Sequence, residues 1–418
     1  MSGNWNPAHP APAADDIVKC VSCGLCLPHC PTFRLTGRET ASPRGRIAAM
    51  RAVDEGEARV DAAFTTMMDE CLACRACEAA CPSGVPFGRM IEAARAQVEP
   101  TRPLPARLIK RIGLSWVLPR RRLTMAAAWG IALTRALRLD RLLPEAQRAS
   151  MPPASLRELL RPIPAERGEG PLAAVLTGCV MDGAFRPVQR ATMELVAQAG
   201  MRAVRPRPGG CCGALAMHYG QPDTARRLAK ERIADWEGAE RVVVNASGCS
   251  AHVRAYGELL ADDPAWAARA ARVAARCVDA IELETRAPAG PPVGPVTVHD
   301  ACHHLHAQGI DPRAQLRAAG GECREVADAG RCCGAAGLYS VLQPELAARL
   351  RAQKAEAIAA AGAPVVAVAN PGCAIQIAAG LAEIGSQVRV AHPAELVAGP
   401  PDRRRGRQRR RPGGPPTV

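Results

Sequence analysis

Two stretches of the chain share one arrangement of four cysteines. CVSCGLCLPHCP occupies residues 20–31 and CLACRACEAACP occupies residues 71–82, so the frame Cys-x-x-Cys-x-x-Cys-x-x-x-Cys-Pro occurs twice. This is the ligand pattern of a [4Fe–4S] cluster, because three thiols of one tight loop can point inward at the same group of iron atoms. Structural zinc sites instead use two short cysteine pairs separated by a spacer. The sequence therefore predicts two [4Fe–4S] clusters.

The duplication predicts how the ligands are shared. In bacterial ferredoxins that hold two clusters, the fourth cysteine of each frame ligates the cluster of the other frame, and a proline follows it. Each frame would then complete the site of the other, and the two clusters would lie close enough for rapid electron exchange. The expected ligand sets are Cys20, Cys23, Cys26 and Cys81 for one cluster, and Cys71, Cys74, Cys77 and Cys30 for the other.

A second system of cysteines occupies the C-terminal half. Adjacent cysteines followed by glycine occur in GGCCGAL at 209–215 and in GRCCGAAG at 330–337. Each pair has another cysteine about thirty residues before it and one about forty residues after it, at predicted strand ends. Since the carboxyl ends of parallel strands meet at one edge of a sheet, these thiols can converge in a crevice. The two sets are Cys179, Cys211, Cys212 and Cys249, and Cys302, Cys332, Cys333 and Cys373.

What these eight thiols bind stays open at the level of sequence. An additional iron–sulfur centre, a zinc ion and purely structural cysteines are all compatible with them. His252 could replace a missing ligand in the first set, although we favour a histidine on a helix surface. HDACHHLHAQ at residues 299–308 surrounds Cys302 with histidines, for which we expect polar contacts rather than metal ligation. Cys277 and Cys323 fit no pattern and are predicted to be buried thiols.

Helices and strands are needed to position these groups. RGRIAAMRAVDEG, between the first two frames, and GVPFGRMIEAARAQV, after the second, predict helices. From residue 171 onward, Val-rich runs such as PLAAVLTGC, RVVVNASGC, GPVTVHDAC and APVVAVANPGC predict buried parallel strands. PDTARRLAKERIADW and PELAARLRAQKAEAIAAAG are predicted helices between them. The second cysteine system recurs after about 120 residues, which indicates two copies of one α/β unit.

The predicted fold class is therefore α+β and multidomain. An N-terminal α-helical, two-[4Fe–4S] ferredoxin-like domain precedes two repeated α/β domains with parallel strands, packed as pseudo-twofold halves. The predicted divisions are a loose leader at 1–15, the cluster domain at 16–99, a Pro/Arg-rich helical linker at 100–170, the repeats at 171–290 and 291–400, and a disordered basic tail at 401–418.

The net charge of +14 suggests an anionic partner. No zinc-finger, homeodomain or RNA-binding signature is present, and aromatic residues make up only 3% of the chain, so we expect no nucleic-acid binding. Anionic lipid or an acidic protein is favoured. Eighteen cysteines without a signal peptide indicate a reducing, cytoplasmic location.

One apolar segment bears on membrane contact. LTMAAAWGIALT at residues 123–134 lies between PRRR and RALRLDR and is too short to span a bilayer. We favour a buried helix here, with a helix at a membrane surface as the alternative. The protein is therefore predicted to be soluble or peripheral on the inner face of the cytoplasmic membrane.

No nucleotide-binding fingerprint is present. The chain has neither a Gly-x-Gly-x-x-Gly motif after a strand nor a P-loop, so we expect any flavin to sit on another polypeptide. Iron–sulfur clusters carry single electrons and do not take hydride from a C–H bond. The chain is therefore predicted to relay electrons and to hold no catalytic residue for substrate oxidation.

The order of these motifs resembles known families. The paired cysteines resemble the cysteine-rich CCG domain of heterodisulfide reductases, although the Cys-x-x-Cys that ends that pattern lacks its last cysteine in both copies. Residues 17–396 taken whole resemble the iron–sulfur subunits of bacterial glycolate oxidase (glycolate dehydrogenase), a branch in which that loss is typical. The resemblance rests on CPTFRLTGRETASPRGRI, CLACRACEAACPSGV, RPLPAR, GCCGALAMHYG, ASGCSAHVRAYG, RCCGAAGLYS and ANPGC.

The resemblance implies a place in a complex. An FAD-containing subunit would oxidise glycolate to glyoxylate, a second flavoprotein-like subunit would accompany it, and electrons would pass through this chain toward quinone. The corresponding subunit for lactate or anaerobic glycerol 3-phosphate oxidation is the alternative. A metal-stabilised module that binds nucleic acid is less favoured.

Overall fold

The computed structural model describes residues 3–144, 147–148, 150–284 and 293–399. The predicted basic tail at residues 401–418 lies outside the described residues, as do several residues at the predicted boundary between the repeats. The described part has a helical N-terminal region followed by two mainly parallel sheets with helices packed on them. The predicted α+β class is confirmed.

Short helices build the N-terminal region around a core of sulfur-containing and aliphatic side chains. Met50, Met68 and Met90 come from three different helices and are completely buried in that core. Ser42 and Asp61 start two of the helices by accepting a backbone N–H with their side chains, as favourable N-caps do. The helices are Ala14–Ile17, Pro31–Thr36, Pro43–Asp54, Ala62–Asp69, Ala76–Ala79 and Phe87–Val98, with 3₁₀ turns at Leu27–His29, Glu39–Ala41 and Glu99–Thr101.

The N-terminal segment is held against this region rather than loose. The indole nitrogen of Trp5 donates a hydrogen bond to the Asp54 carboxylate at 2.9 Å. The backbone N–H of Asn6 donates to the side-chain oxygen of Gln97 at 2.8 Å, and the Gln97 amide donates back to the Asn6 carbonyl. Residues 1–15 were predicted to form a loose leader, whereas Trp5 and Asn6 have hydrogen-bonding partners that lie far away in the sequence.

A run of exposed helices connects the N-terminal region to the sheets. Within the helix Arg121–Ala136, which covers the apolar segment 123–134, Ala128 and Ala132 are buried, whereas Trp129 and Leu133 are 40% and 50% exposed. The favoured expectation of a buried helix was therefore wrong, because the helix fully buries only Ala128 and Ala132 and leaves its large residues Trp129 and Leu133 exposed. The run comprises Leu104–Arg111, a π-helical segment Ile112–Val117, Arg121–Ala136, the 3₁₀ turn Leu139–Leu142 and Leu156–Leu160.

Both repeats have the same strand order. In the first sheet β3 and β4 flank β2 in parallel, β5 extends β4, and the two-residue β1 adds antiparallel to β3. In the second sheet β7 and β8 flank β6 and β9 extends β8, all in parallel. Without β1, each sheet has the order 2-1-3-4 of a doubly wound unit. The strands are β1 Glu166–Arg167, β2 Leu172–Leu176, β3 Arg202–Val204, β4 Arg241–Val244, β5 Cys277–Asp279, β6 Gly294–His299, β7 Gly321–Arg324, β8 Val365–Val368 and β9 Arg389–Ala391.

Helices cover both sheets, which explains why the strands are Val-rich throughout rather than alternating. In the first repeat the helices are Cys179–Ala184, Arg186–Gln198, Ala214–His218, Pro222–Trp236, Ser247–Arg254, Tyr256–Leu259 and Ala267–Arg276, with a 3₁₀ turn at Ala280–Glu282. In the second they are Cys302–Gln308, Arg313–Ala318, Tyr339–Leu342, Pro344–Ala360, Pro371–Glu383 and Pro393–Val397.

The repeats meet through equivalent segments. The backbone N–H of Ser247, which follows β4, donates to the carbonyl of Ala369 at 3.1 Å. The side chain of Asn370, which follows β8, donates to the Ser247 hydroxyl at 2.9 Å. Buried valines of both sheets also share one hydrophobic core. Contact between corresponding strand ends is what a pseudo-twofold arrangement requires.

Candidate functional site

One cysteine-lined cavity, called the outer cavity below, lies near the molecular surface. Pro43, Arg44 and Phe87 form part of its wall. Cys23 is exposed, and the other three cysteines of its predicted set are half-buried. The cysteines of that set around it are Cys20, Cys23, Cys26 and Cys81.

A second cavity, called the inner cavity below, lies deeper. Pro43, Cys77 and Phe87 line both cavities, so the two share a wall. All four cysteines of the second predicted set are buried. These cysteines are Cys30, Cys71, Cys74 and Cys77. The structure thus brings each predicted set together around its own cavity.

The two frames fold into the same backbone turn. Ser22 and Ala73, just before the second cysteine of each frame, have φ values of 58° and 50°, and Gly24 and Arg75, just after it, have 82° and 62°. This left-handed region costs a non-glycine residue about 1 kcal/mol or more. Such turns aim successive amide groups at a common centre, as in anion-binding nests. Cluster sulfurs would accept hydrogen bonds from those backbone amides, so the strained loops fit a [4Fe–4S] group.

The inner cavity also needs cations to hold its thiolates. Burial raises the pKa of the Cys74 and Cys77 thiols well above the usual range. The thiolate is the form that ligates metal. Burial disfavours this charged form, and the positive charge of bound iron would stabilise it.

In the first repeat, four thiols form a row at the carboxyl edge of the sheet. Cys179 follows β2 and Cys249 follows β4, the two neighbouring strands between which the strand order reverses and ligand crevices form. The Sγ atoms of Cys212 and Cys249 are 3.1 Å apart. Hydrogen bonds from the thiols of Cys179 and Cys212 hold the pKa of Cys211 well below its usual range.

His252 is buried beside this row, so the expectation of a helix-surface histidine was wrong. Its ring packs edge-on against Tyr256 with 5.5 Å between centroids. Burial lowers its pKa to about 4, which keeps the imidazole neutral.

The second repeat has an equivalent row of four thiols, with the imidazole of His299 beside it. Cys302 hydrogen bonds with Cys332, and Cys333 hydrogen bonds with both Cys332 and Cys373. One nitrogen of His299 and the Sγ atoms of Cys333 and Cys373 all lie within 4.8 Å of one another.

Sequence reasoning missed His299 as a candidate ligand. The signal was available, since His299 precedes Cys302 by three residues, where Leu176 precedes Cys179 in the first repeat. A buried imidazole normally has a polar partner, so a histidine in the place of a leucine at the end of a buried strand indicates a polar contact there.

Two of the other three histidines of this stretch make the polar contacts expected of them, whereas His303 makes a ring contact. His303 packs on His218 with 5.4 Å between ring centroids, and His306 contacts the Gly330 carbonyl at 3.0 Å. The third, His304, pairs with Asp279 at 2.8 Å.

The thiol row of the second repeat lies next to the inner cavity. Cys74 shares a buried cluster with Cys302 and Cys332. The hydroxyl of Tyr339 donates to the Glu70 carbonyl at 3.1 Å and ties the same region together. The outer cavity, the inner cavity and this thiol row therefore form a continuous series.

The two unassigned cysteines differ from each other. Cys277, on β5, is buried as expected, whereas Cys323, on β7, is only half-buried. Neither belongs to a cysteine row.

No helix within the described residues is both long and apolar enough to cross a membrane.

Comparison with known proteins agrees with this arrangement. Residues 16–85 match the family of the 4Fe-4S dicluster domain, and residues 173–254 and 296–378 each match the cysteine-rich domain family. The chain is 34% identical to the probable glycolate oxidase iron-sulfur subunit of Bacillus subtilis, over 91% of this chain and 93% of that protein. It is 33% identical to the glycolate oxidase iron-sulfur subunit of Escherichia coli, over 92% and 94% respectively. A lactate utilization protein A of Bacillus cytotoxicus is 27% identical over only 52% of this chain.

Proposed function

Because the chain belongs to the family of glycolate oxidase iron–sulfur subunits, we propose that it is the electron-transfer subunit of a complex that oxidises glycolate to glyoxylate. In this proposal an FAD-containing subunit oxidises the substrate, a second flavoprotein-like subunit accompanies it, and quinone is the eventual acceptor. [4Fe–4S] clusters exchange single electrons and do not take hydride from a C–H bond, so this chain contributes no residue to the oxidation itself.

The adjacent outer and inner cavities are the observation that carries the proposal. The outer cavity lies beside the exposed Cys23, and the inner cavity is lined by buried cysteines and borders the second repeat. Two one-electron sites that share a wall provide a path from the surface to the interior. A metal-stabilised binding module has no use for such a path.

In this function each cysteine frame holds part of both clusters. The outer cavity takes three cysteines from the first frame and Cys81 from the second, and the inner cavity takes three from the second and Cys30 from the first. The division of cysteines between the two cavities supports this assignment. Thr32, whose hydroxyl lies 3.3 Å from the Cys30 sulfur, positions that thiol.

An exposed apolar patch adjoins the outer cavity and suits a flavoprotein partner. Val18, Val21 and Leu25 lie along and just before the loop of the first frame, and all three are exposed. Exposed apolar side chains in one place are typical of protein contact surfaces. A partner seated there would bring its flavin near the exposed Cys23, which lines the outer cavity.

We expect the isolated chain to show no activity with glycolate and the reconstituted complex to reduce a quinone analogue. The test co-purifies the chain with its flavoprotein partners under anaerobic conditions and assays glycolate, lactate and glycerol 3-phosphate. Faster turnover of lactate or glycerol 3-phosphate would move the assignment to the alternative substrates. Glycolate oxidation by the pure chain would overturn the relay role altogether.

The exposed helices support a location at the membrane surface. Leu104, Leu108, Ile112 and Trp116 recur every four residues, and all are exposed together with Ile109. No acidic residue occurs within residues 103–139, whereas arginines are frequent there. An apolar helical face flanked by basic side chains is the signature of a helix that lies in a lipid interface. We propose that this surface docks on anionic lipid, where quinone is available.

Replacing Leu108 and Ile109 together by aspartate is expected to weaken binding to vesicles of anionic phospholipid at least tenfold. Each loses roughly 1.5–3 kcal/mol of apolar burial, and each new carboxylate is repelled by the lipid. Vesicle flotation of the purified complex measures the effect. The matched control is Val341→Asp, which alters an equally exposed apolar residue elsewhere. Equal binding to neutral and anionic vesicles, or equal loss in the control, would contradict this surface.

A further inference from the structure

We propose that a cavity between the two repeats binds the ring of a quinone, and that Glu395 donates a proton to this ring as the chain reduces it. The inference rests on the proposed function, in which quinone is the acceptor, and adds the place where electrons leave the chain. The cavity, called the inter-repeat cavity below, has a volume of about 160 Å³. Both repeats contribute to its wall, which includes Met181, Ala184, Phe185, Val368, Asn370 and Ala374.

The size and the lining of the inter-repeat cavity suit a single ring. A cavity of about 150 Å³ is large enough to hold benzene. Among the described residues of its wall, only Asn370, His392 and Glu395 have polar side chains. An apolar lining with a few polar groups is typical of small-molecule sites. A quinone has the matching character, because it is a flat apolar ring with two carbonyl oxygens that accept hydrogen bonds.

His392 has no ring nitrogen to spare for a ligand. The backbone N–H of Ala394 donates to its Nδ1 at 3.0 Å, so the ring hydrogen lies on Nε2, which donates to the Asn245 carbonyl at 3.1 Å. Burial lowers the pKa of His392 to about 4, so the ring is neutral. Since Asn245 belongs to the first repeat, His392 fixes the wall across the contact between the repeats and leaves ligand binding to the other two polar side chains.

Asn370 and Glu395 each keep a hydrogen-bonding capacity that the described part of the chain does not use. An amide side chain has two N–H donors, and that of Asn370 donates only to the Ser247 hydroxyl, at 2.9 Å. One oxygen of Glu395 accepts the backbone N–H of His392 at 3.1 Å. Its other oxygen has no hydrogen bond or ion pair among the described residues. Together they supply one donor for each carbonyl oxygen of a quinone when Glu395 is protonated.

Burial helps Glu395 to carry that proton. It raises the pKa of the carboxyl above its ordinary value. The charged groups that face it are Arg190, from the helix Arg186–Gln198, and Arg389, from β9, and both act in the opposite direction but are outweighed. Arg190 already forms an ion pair with Glu158. Glu395 is therefore protonated up to a higher pH than an exposed glutamate.

Reduction of the quinone takes two electrons and two protons. The reduced clusters give up the electrons one at a time. Glu395 passes its proton to the carbonyl oxygen that it contacts and takes a replacement from solvent. The second proton reaches the other oxygen from solvent. The product is the hydroquinone, and the two clusters that supplied the electrons are left oxidised.

The inter-repeat cavity lies at the end of the thiol row that is remote from the inner cavity. Ala374 directly follows Cys373, and both pack in a core cluster with Phe185 of the cavity wall. Hydrogen bonds connect Cys373 along the row to Cys302. Cys302 in turn shares a buried cluster with Cys74 of the inner cavity. Packed side chains therefore connect the inner cluster site to the proposed quinone site.

The cavity also adjoins the helices proposed to lie at the membrane surface. The helix Cys179–Ala184 lines the cavity with two residues and contacts the exposed helix Arg121–Ala136, since its Asp182 accepts a hydrogen bond from Arg121 at 2.7 Å. Pro153, in the same run of connecting segments, lines the cavity as well. A quinone with an apolar tail resides in lipid, so this position places the cavity within its reach.

The test uses the full-length chain and no glycolate. Its clusters are reduced with dithionite, excess reductant is removed anaerobically, and reoxidation by decylubiquinone or by ferricyanide is followed by stopped-flow absorbance. Glu395→Gln keeps an oxygen for the His392 N–H but loses the acidic proton, so it should slow reoxidation by decylubiquinone roughly tenfold or more. Reoxidation by ferricyanide, which takes one electron and no proton, should be unchanged. Glu383→Gln, in the same repeat but paired with Arg351, is the matched control and should react like wild type.

Two further measurements keep the proposal testable if Glu395→Gln fails to fold. Ala184→Leu places a larger side chain in the cavity and should raise the decylubiquinone concentration needed for the half-maximal rate. In wild type, the rate with decylubiquinone should fall as pH rises through the pKa of Glu395, because the carboxylate has no proton to donate. Glu395→Gln should lack that decline.

Wild-type rates with decylubiquinone in both Glu395→Gln and Ala184→Leu would overturn the proposal, and so would equal slowing with both acceptors. Failure of the proposed function would look different. A chain that reduces decylubiquinone through this cavity, in a complex that does not oxidise glycolate, would refute the proposed substrate and keep the quinone site. A complex that oxidises glycolate and reduces decylubiquinone at the wild-type rate despite both substitutions would refute the site alone.

Discussion

Replacing Cys30 by serine is expected to remove the inner cluster and leave the outer one, although Cys30 belongs to the same frame as three outer ligands. Cys30 lines the inner cavity with Cys71, Cys74 and Cys77 and is buried there. A buried serine hydroxyl is a much poorer ligand for iron than a thiolate. Iron should fall from about eight atoms per chain to about four, and quinone reduction by the complex should fall to background.

The reciprocal change is the control. Cys81→Ser should remove the outer cluster, since Cys81 lines the outer cavity with the first three cysteines of the other frame. EPR spectra of both variants, compared with Cys277→Ser outside the frames, distinguish the two clusters. If Cys30→Ser removed the outer signal and kept the inner one, each frame would hold its own cluster and the shared-ligand assignment would be refuted.

The sequence predicts those features of the site that depend on residues close together in the chain. The frames at 20–31 and 71–82 prescribe both the ligands and the turn, and the structure gives their loops equivalent left-handed residues. The two repeats were predictable for a similar reason, because their cysteines mark strand ends at a constant spacing. In each repeat, the doubly wound sheet then brings the ends of two neighbouring strands to one crevice. These strands are β2 and β4 in the first repeat and β6 and β8 in the second.

What sequence did not predict depends on distant partners. The polar segment at residues 3–13 is ordered by Asp54 and Gln97, which lie far along the chain. His299 and His303 look equivalent in HDACHHLHAQ, yet one ends a buried strand beside two thiols and the other packs against His218. A cluster of one residue type therefore says little about which member binds a ligand. Only the fold assigns each ring its neighbours.

Asp279→Ala is expected to lower the free energy of unfolding by about 3 kcal/mol or more, because it removes a buried carboxylate that hydrogen bonds across the contact between the two repeats. Asp279, on β5 of the first repeat, is fully buried and lies 2.8 Å from Nε2 of His304 in the second. The Ser250 hydroxyl donates to the same carboxylate at 2.7 Å. Burial alone would raise the pKa of Asp279, but His304 and Ser250 outweigh it and keep the pKa below its usual value.

Removal of the carboxylate leaves the buried His304 ring without its hydrogen-bonding partner, while the Ser250 hydroxyl keeps its contacts with Ser247 and Gln308, so the loss should greatly exceed that of a surface pair. Asp262→Ala is the matched control, because Asp262 contacts Arg226 at a similar 2.6 Å but is 75% exposed. Water screens that pair, and its loss should change stability by less than about 1 kcal/mol. Denaturant titrations of both variants, followed by circular dichroism, measure the difference. Equal effects would mean that the contact between the repeats does not depend on this pair, and that the apolar core shared by the two sheets holds them together alone.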